Sequence, residues 1–416
     1  MRVSSRSRLS FLGLVLLGLF FSAAPARAVL RTWTGAGADD NWTTAANWGG
    51  TAPSAGDDLA FPGGTPRLNP NNDFPAGTLF NSIAFNGASG GYTLLGNAIT
   101  LATGVNASNA AGNATIQLSI TLQAAQTFAC TIPGPLDRLT LAGPVDTNGF
   151  TLTLDSAGGS VINMNGVISN TGGVTSINTG IVFIVANMTY TGPTNISAGD
   201  FALAGASLST SSPVTVTGGL LQFANNASTG PVNATAGTVA CEGGGTSQIG
   251  NVTDLTLAAA STLQMALYSA SNYGTINASG NVDVTGSNLL LGFAFTSATN
   301  DAFTIINKTS GGAVTGTFAG LPEGGTVVVS GRTYQITYVG GDGNDVVVTD
   351  ITAGGPTPTP TATPAGVPTP TSTPAGPTPT RGPGPVTPVP TLSGDLLMLL
   401  GLALALVAVL VMRKSG

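Results

Sequence analysis

Histidine is absent from the 416 residues, and this absence removes whole classes of chemistry. Without imidazole there is no Ser/His/Asp triad, no Cys/His nucleophile pair and no His-ligated zinc. Charge is nearly as scarce, at 7% of residues, and Lys308 is the only lysine outside the extreme C-terminus. Helix surfaces draw on Lys, Glu and Arg, so a helical body is excluded. The formal net charge is −6 and no basic cluster occurs. Nucleic acid is therefore not an expected partner, because phosphate binding needs grouped Lys or Arg. Only two cysteines, Cys130 and Cys241, are present.

What fills the chain instead is glycine, 59 residues of it, within a composition that is 42% hydrophobic and rich in Thr, Asn, Ser and Val. Such a sequence favours many short strands joined by tight turns. The body is predicted to be all-β.

Both ends carry addresses. Arg2, Arg6 and Arg8 precede the apolar run Leu9–Phe21, and Ala26-Arg27-Ala28 closes the segment. A basic stretch, a short apolar stretch and an A-x-A site form a secretory leader, cut after Ala28. No cysteine stands directly after the cut, so a lipid-modified N-terminus is not expected. At the other end Leu396–Met412 is apolar and uncharged and is followed by Arg413 and Lys414. As a helix it covers about 26 Å, enough for a thin bilayer, with the cations on the cytoplasmic side. Between body and anchor lies Pro356–Pro388, with repeats such as Pro356-Thr357-Pro358-Thr359-Pro360. Alternating proline disfavours helix and sheet and favours polyproline II, a spacer of up to about 100 Å.

Val389-Pro390-Thr391-Leu392-Ser393, then the apolar run and the basic pair, resembles the IPTL-CTERM sorting signals of Gram-negative bacteria. The resemblance covers the last 28 residues, 389–416. It implies recognition by an exosortase-like membrane enzyme and delivery to the outer surface. Val389 stands where the family has Ile, and the aromatic residue common after the Ser is missing.

Four segments of the body align on Gly180, Gly199, Gly219 and Gly237. In each, a strand leads into a glycine bend and a second strand with large residues at alternate positions. Period-two alternation places Phe201 with Leu203, Leu221 with Phe223, and Val239 with Cys241 on one face. A looser fifth unit runs from Leu255-Thr-Leu257 to Leu263-Gln-Met265. About 20 residues cannot enclose a core alone, whereas stacked coils bury a continuous one. The expected fold is a right-handed parallel β-helix with coils of about 20 residues; an extended antiparallel sandwich remains the alternative. In the stack the two cysteines stand five to six coils apart, out of disulfide reach, and are expected as buried free thiols.

The segment from Asn187 through Tyr190-Thr-Gly192-Pro-Thr194 to Gly199-Asp-Phe201-Ala-Leu203 resembles the autotransporter-associated β-strand repeat. Trp33-Thr-Gly with Asn41-Trp42, Asn47-Trp48 and Gly56-Asp57, and the stretch from Thr315-Gly to Gly340-Gly-Asp-Gly-Asn-Asp345, are similar to segments that flank such repeats. The resemblance implies a passenger-type β-helix at the cell surface. The outer-membrane barrel of autotransporters has no counterpart here.

Candidate chemistry is sparse. Gly87-Ala-Ser89-Gly-Gly91 matches a nucleophile-elbow pattern, but no His or nearby Lys can serve as base, so it is read as a turn. Gly340-Gly-Asp342-Gly-Asn344-Asp345 matches a calcium-binding nonapeptide, with Asp342, Asn344 and Asp345 as ligands; a hairpin between Tyr334–Val339 and Val346–Thr349 explains it equally. Trp33, Trp42 and Trp48 can stack on sugar rings or pack a cap over the end of a solenoid. Asp39-Asp40 and Asp57-Asp58 are adjacent acid pairs, of interest because glycosidases use two carboxylates across a cleft.

The expected organisation is a leader (1–28), an N-terminal β cap (29–105), solenoid repeats (106–295), a C-terminal cap or hairpin region (296–352), a linker (353–388) and a sorting signal with anchor (389–416). The expected function is that of an exported, non-enzymatic surface protein of structural or adhesive type. The alternative is a glycan-binding or glycan-cleaving β-helix. No cofactor is expected apart from the calcium candidate. The expected partners are the secretion machinery, an exosortase-like enzyme, a surface glycan or matrix, and the membrane through the C-terminal helix.

Overall fold

The computed structural model describes residues 28–87, 91–108, 112–131, 138–242 and 248–353. The leader up to Arg27, the linker from Gly354, the sorting motif, the anchor and Ser89 lie outside the described residues. Within them the chain is all-β, with one 3-10 turn, Ala45–Trp48, and no α-helix. It winds into a parallel β-solenoid of about ten turns.

Each coil contributes strands to three faces. Face A stacks strands such as Asp58–Pro62, Gln126–Cys130, Val174–Ile177 and Val214–Val216. Face B stacks Tyr92–Gly96, Arg138–Leu141, Ile181–Ile184, Asp200–Ala204 and Leu220–Ala224. Face C runs through Ile120–Leu122 and Val145–Asp146 to Ile249–Val252 and Thr275–Ala278. Between these groups face C narrows to a few backbone bonds, among them Met188 N–H to Ser207 O at 2.7 Å, Leu208 N–H to Ser228 O at 2.8 Å and Ser228 N–H to Ala206 O at 3.2 Å.

The register follows the glycine alignment residue for residue. Val182, Phe201, Leu221 and Val239 are successive Cα partners on face B, as are Ile184, Leu203, Phe223, Cys241 and Met265. All of these side chains are buried, and each contributes about 1.5–3 kcal/mol through lost apolar exposure. The antiparallel sandwich is excluded for the stack, because its pairings from Leu30↔Asp58 to Leu263↔Leu289 are parallel.

The parallel stacking begins at Leu30, so residues 29–105 are themselves coils and the expected cap is confined to a loop. Coil length also departs from a uniform 20. Face A partners lie 28 residues apart at Leu30/Asp58, 24 at Asp58/Ser82, 20 at Thr175/Asn195 and 18 at Thr215/Asn233. The long coils carry excursions: the middle ones turn tightly, and the spacing widens again to 23 at Asn233/Thr256 and 27 at Thr256/Asp283. Several turns use asparagine in the left-handed region, among them Asn148, Asn170, Asn178, Asn225 and Asn226. Asparagine tolerates that backbone better than other non-glycine residues.

Aromatic clusters lie toward both ends of the stack. At the N-terminal end Trp33, Trp42 and Trp48 pack edge-on and tilted around Phe61 and Phe80. At the other end Ala302–Lys308 pairs in antiparallel fashion with Asp345–Asp350, which pairs with Arg332–Gly340. Reversing strand direction there ends the parallel winding, and Phe293 stacks on Tyr334 with centroids 4.5 Å apart. Asp350 is buried beneath this hairpin. Burial alone would raise its pKa, but hydrogen bonds from Arg332, Ser297 and Thr352 hold its carboxyl well below the usual range.

Cys130 lies on face A and Cys241 on face B, both buried and unbonded. Five stacking steps separate their coils, about 24 Å at the strand spacing, which no disulfide spans.

Candidate functional site

The acid pairs at the N-terminal end are committed to the fold. Asp39 accepts from Thr44 Oγ1 at 3.0 Å and Asn41 N–H at 3.1 Å. Those two bonds, the Thr44 one foremost, lower its pKa. Asp40 pairs with Arg67 at 3.0 Å. Asp57 pairs with Arg31 at 2.8 Å and accepts Ser54 N–H at 2.9 Å. Asp58 accepts from Asn81 Nδ2 at 2.6 Å. Each carboxylate thus has its own structural partners.

The tryptophans are 0%, 0% and 5% exposed at Trp33, Trp42 and Trp48. A sugar ring cannot reach the face of a buried indole, so the stacking role is corrected to the packing role. Two indole N–H groups are also spent on the chain: Trp33 Nε1 donates to Arg67 O and Trp48 Nε1 to Trp42 O, both at 2.9 Å.

The calcium candidate is the turn of a hairpin between Arg332–Gly340 and Asp345–Asp350. Asp345 accepts Lys308 N–H at 2.9 Å, Asn344 Nδ2 donates to Ser310 O at 2.7 Å, and Asp342 is exposed. The buried ammonium of Lys308 donates to Ser310 O, Ser310 Oγ and Gly311 O at 2.6–3.0 Å. Among the described residues no group of three or more His, Cys, Asp or Glu is placed to hold a metal.

Two features escaped the sequence reading. The first is on the outside of face B. Asn163, Phe183, Ala202, Gln222, Ala240 and Gln264 occupy successive outward positions in register. Glu242 follows at the end of its strand, 5% exposed, and Gln264 Nε2 donates to its Oε1. Gln222 Nε2 reaches Glu242 O at 3.4 Å. Burial, with the Asp200 carboxylate as a second cause, pushes Glu242 up to about 7 against the opposing Gln264 bond. Burial pushes Asp200 up to about 6. Gln222 and Gln264 both bond Glu242, and burial favours the protonated form of each carboxyl.

These shifts set a pH dependence. Both carboxyls hold a proton more tightly folded than unfolded, so protonation favours the fold. Their contribution is fully present below about pH 4, the unfolded carboxylate range, and is lost as pH rises through about 6 and 7. Asp200→Asn and Glu242→Gln should each stabilise the protein at pH 8 by about 1–3 kcal/mol, discounted for the partial exposure of Asp200. Thermal melts from pH 4 to 8 should show the slope in the parent protein and a shallower one in each variant.

The second feature is an asparagine ladder on face C. Asn251 Nδ2 donates to Asn226 Oδ1 at 2.9 Å, Asn277 Nδ2 to Asn251 Oδ1 at 3.0 Å, and Asn307 Nδ2 to Asn277 Oδ1 at 2.9 Å. Stacked amides reinforce the coil spacing, as in other cross-strand ladders. Asn277→Ala removes both of its rungs and should cost about 1–3 kcal/mol. Asn277→Asp places a carboxylate under the Asn251 oxygen and should cost more, as urea titration of the two variants would show.

Among the described residues no helix is long and apolar enough to cross a membrane; Leu396–Met412 lies outside them. No family model, no curated protein and no solved structure matches the chain.

Proposed function

We propose that this protein is an exported β-solenoid of the bacterial cell surface, with a structural or adhesive role and no catalytic one. Its leader is removed after Ala28. The Pro/Thr linker holds the body off the membrane, and the segment from Val389 to Lys414 anchors it or delivers it through an exosortase-like enzyme. The observation that carries this reading is the parallel solenoid of about ten turns with an aromatic cluster near each end. About ten turns make a rod near 50 Å long at the strand spacing, with long, repetitive and weakly charged faces suited to extended contacts. Protease treatment of intact cells tests it. Release of body peptides before the outer membrane is broken is the expected result; release only after rupture would place the protein inside and end the reading.

The alternative is a glycan-binding or glycan-cleaving module, for which the nearly buried Glu242, 5% exposed, offers little open surface. Retention of a polysaccharide by the parent protein and its loss in Asp200→Asn or Glu242→Gln would support binding. Release of new reducing ends, abolished in either variant, would make the protein an enzyme and overturn the first reading.

A further inference from the structure

The first residues of the described chain show what a cut after Ala28 would produce. Val29 is tied to the fold on both sides of its own backbone. Its N–H donates to Asp57 Oδ1 at 3.3 Å, and its carbonyl accepts Asp58 N–H at 3.0 Å. Asp57 is buried, while Val29 and Leu30 are 48% and 63% exposed. Val29 is thus the first residue that backbone hydrogen bonds hold to the stack.

We propose that removal of the leader creates an α-ammonium on Val29 for which Asp57 is the built-in receptor, so that processing completes the first coil. The proposal rests on the reading that the leader is cut after Ala28. In the cut, water adds across the Ala28–Val29 peptide bond, the carboxylate leaves with Ala28, and the amine on Val29 takes up a proton. One neutral N–H facing Asp57 becomes a cation with three donors, and charge-assisted bonds are about twice as strong as neutral ones.

The carboxylate has an oxygen to give. Asp57 Oδ2 takes Arg31 Nε and Ser54 N–H, whereas Oδ1 takes Val29. The charged groups at the new terminus are Arg31 and Asp57, which already pair with each other, while the Asp58 carboxylate is turned to Asn81 and Ser82. Burial pushes Asp57 upward, but the bonds from Arg31, Ser54 and Val29 outweigh it and keep the carboxyl ionised. An uncut chain would present only its amide there.

The test uses the chain from Val29 to Gly416, made with a free terminus by tag removal, against the same chain with an acetylated terminus. A free α-amino group has an ordinary pKa near 8. Paired to Asp57 its value rises, so its contribution is fully present below about pH 8 and is lost as pH climbs through the raised value. At pH 6–7 the free form should have a folding equilibrium about tenfold more favourable, and the gap should close by pH 11. In the Asp57→Asn background, compared only with itself, free and acetylated forms should differ by less than twofold at every pH. Equal stabilities of the parent pair at pH 6, or an undiminished gap in the Asp57→Asn pair, would overturn the proposal. The pH dependence of Val29 amine labelling, read by mass, gives a second readout: a value above 8 supports it, and a value at or below 8 refutes it. N-terminal sequencing of protein from native cells tests the underlying cut separately, since the engineered chains report on Asp57 whatever the cell does.

Discussion

Gly237→Ala should cost about 2–5 kcal/mol and shift the urea midpoint strongly downward, with loss of the parallel-sheet signal in the same transition. Gly237 has φ +77°, in the left-handed region that a Cβ disfavours. The added carbon would also lie 2.9 Å from Gly218 C and 3.0 Å from Gly219 N, and closer still to the Gly219 carbonyl oxygen. That carbonyl is already bonded to Thr238 N–H at 2.9 Å. The neighbour is backbone, not a flexible side chain, so it cannot yield without opening the ladder. Backbone strain of about 1–3 kcal/mol adds to a comparable overpacking penalty. The same geometry recurs at Gly199, whose φ is +67° and whose Cβ would meet the carbonyl of Gly180. Each bend glycine lies against the one before it. A control at Gly312, also at positive φ but with nothing near its Cβ, isolates the strain and should cost about 1 kcal/mol.

Trp42→Ala should destabilise the protein by about 3–5 kcal/mol, the range for deleting a large buried aromatic. Its ring meets Trp48 at 6.2 Å and 88°, Phe80 at 5.5 Å and 76°, and Phe61 at 5.9 Å. These contacts join the loop above the first coil to strands of the next two, so the loss reaches beyond one side chain. Trp42→Phe keeps an aromatic ring and should lose less than half as much. Hydrogen exchange should show the difference as faster opening of Leu30–Thr32 and Asp58–Pro62, with the late coils less affected, because neighbouring repeats couple mainly to one another. Uniform loss of protection along the stack would mean that the cap is not a local device.

The stretch from Val174 to Cys241 was legible because its coils are short and regular. With 18 to 20 residues per turn, the glycine and the alternating Phe201/Leu203 and Leu221/Phe223 pairs repeat nearly in phase. The early coils hid the same pattern, since excursions of differing length between Leu30 and Gly104 break the period while leaving the register intact. The asparagine ladder was invisible for a related reason. Asn226, Asn251, Asn277 and Asn307 are separated by unequal intervals, and only the stacking aligns them. Asp200 and Glu242 are not legible as neighbours because they are far apart in the chain and the alternation there marks the inward residues. The adjacent acid pairs are visible in the sequence, yet Asp39 and Asp40 lie in a loop, Asp57 stands just before a strand, and each carboxylate has separate partners.

The most direct test of a surface life is the intact mass of the protein from fractionated native cells. A chain that starts at Val29 and ends at or near Thr391, recovered outside the inner membrane, is the expected result. A chain that retains Gly416 and remains in the inner membrane would contradict it and leave a tethered periplasmic solenoid in its place.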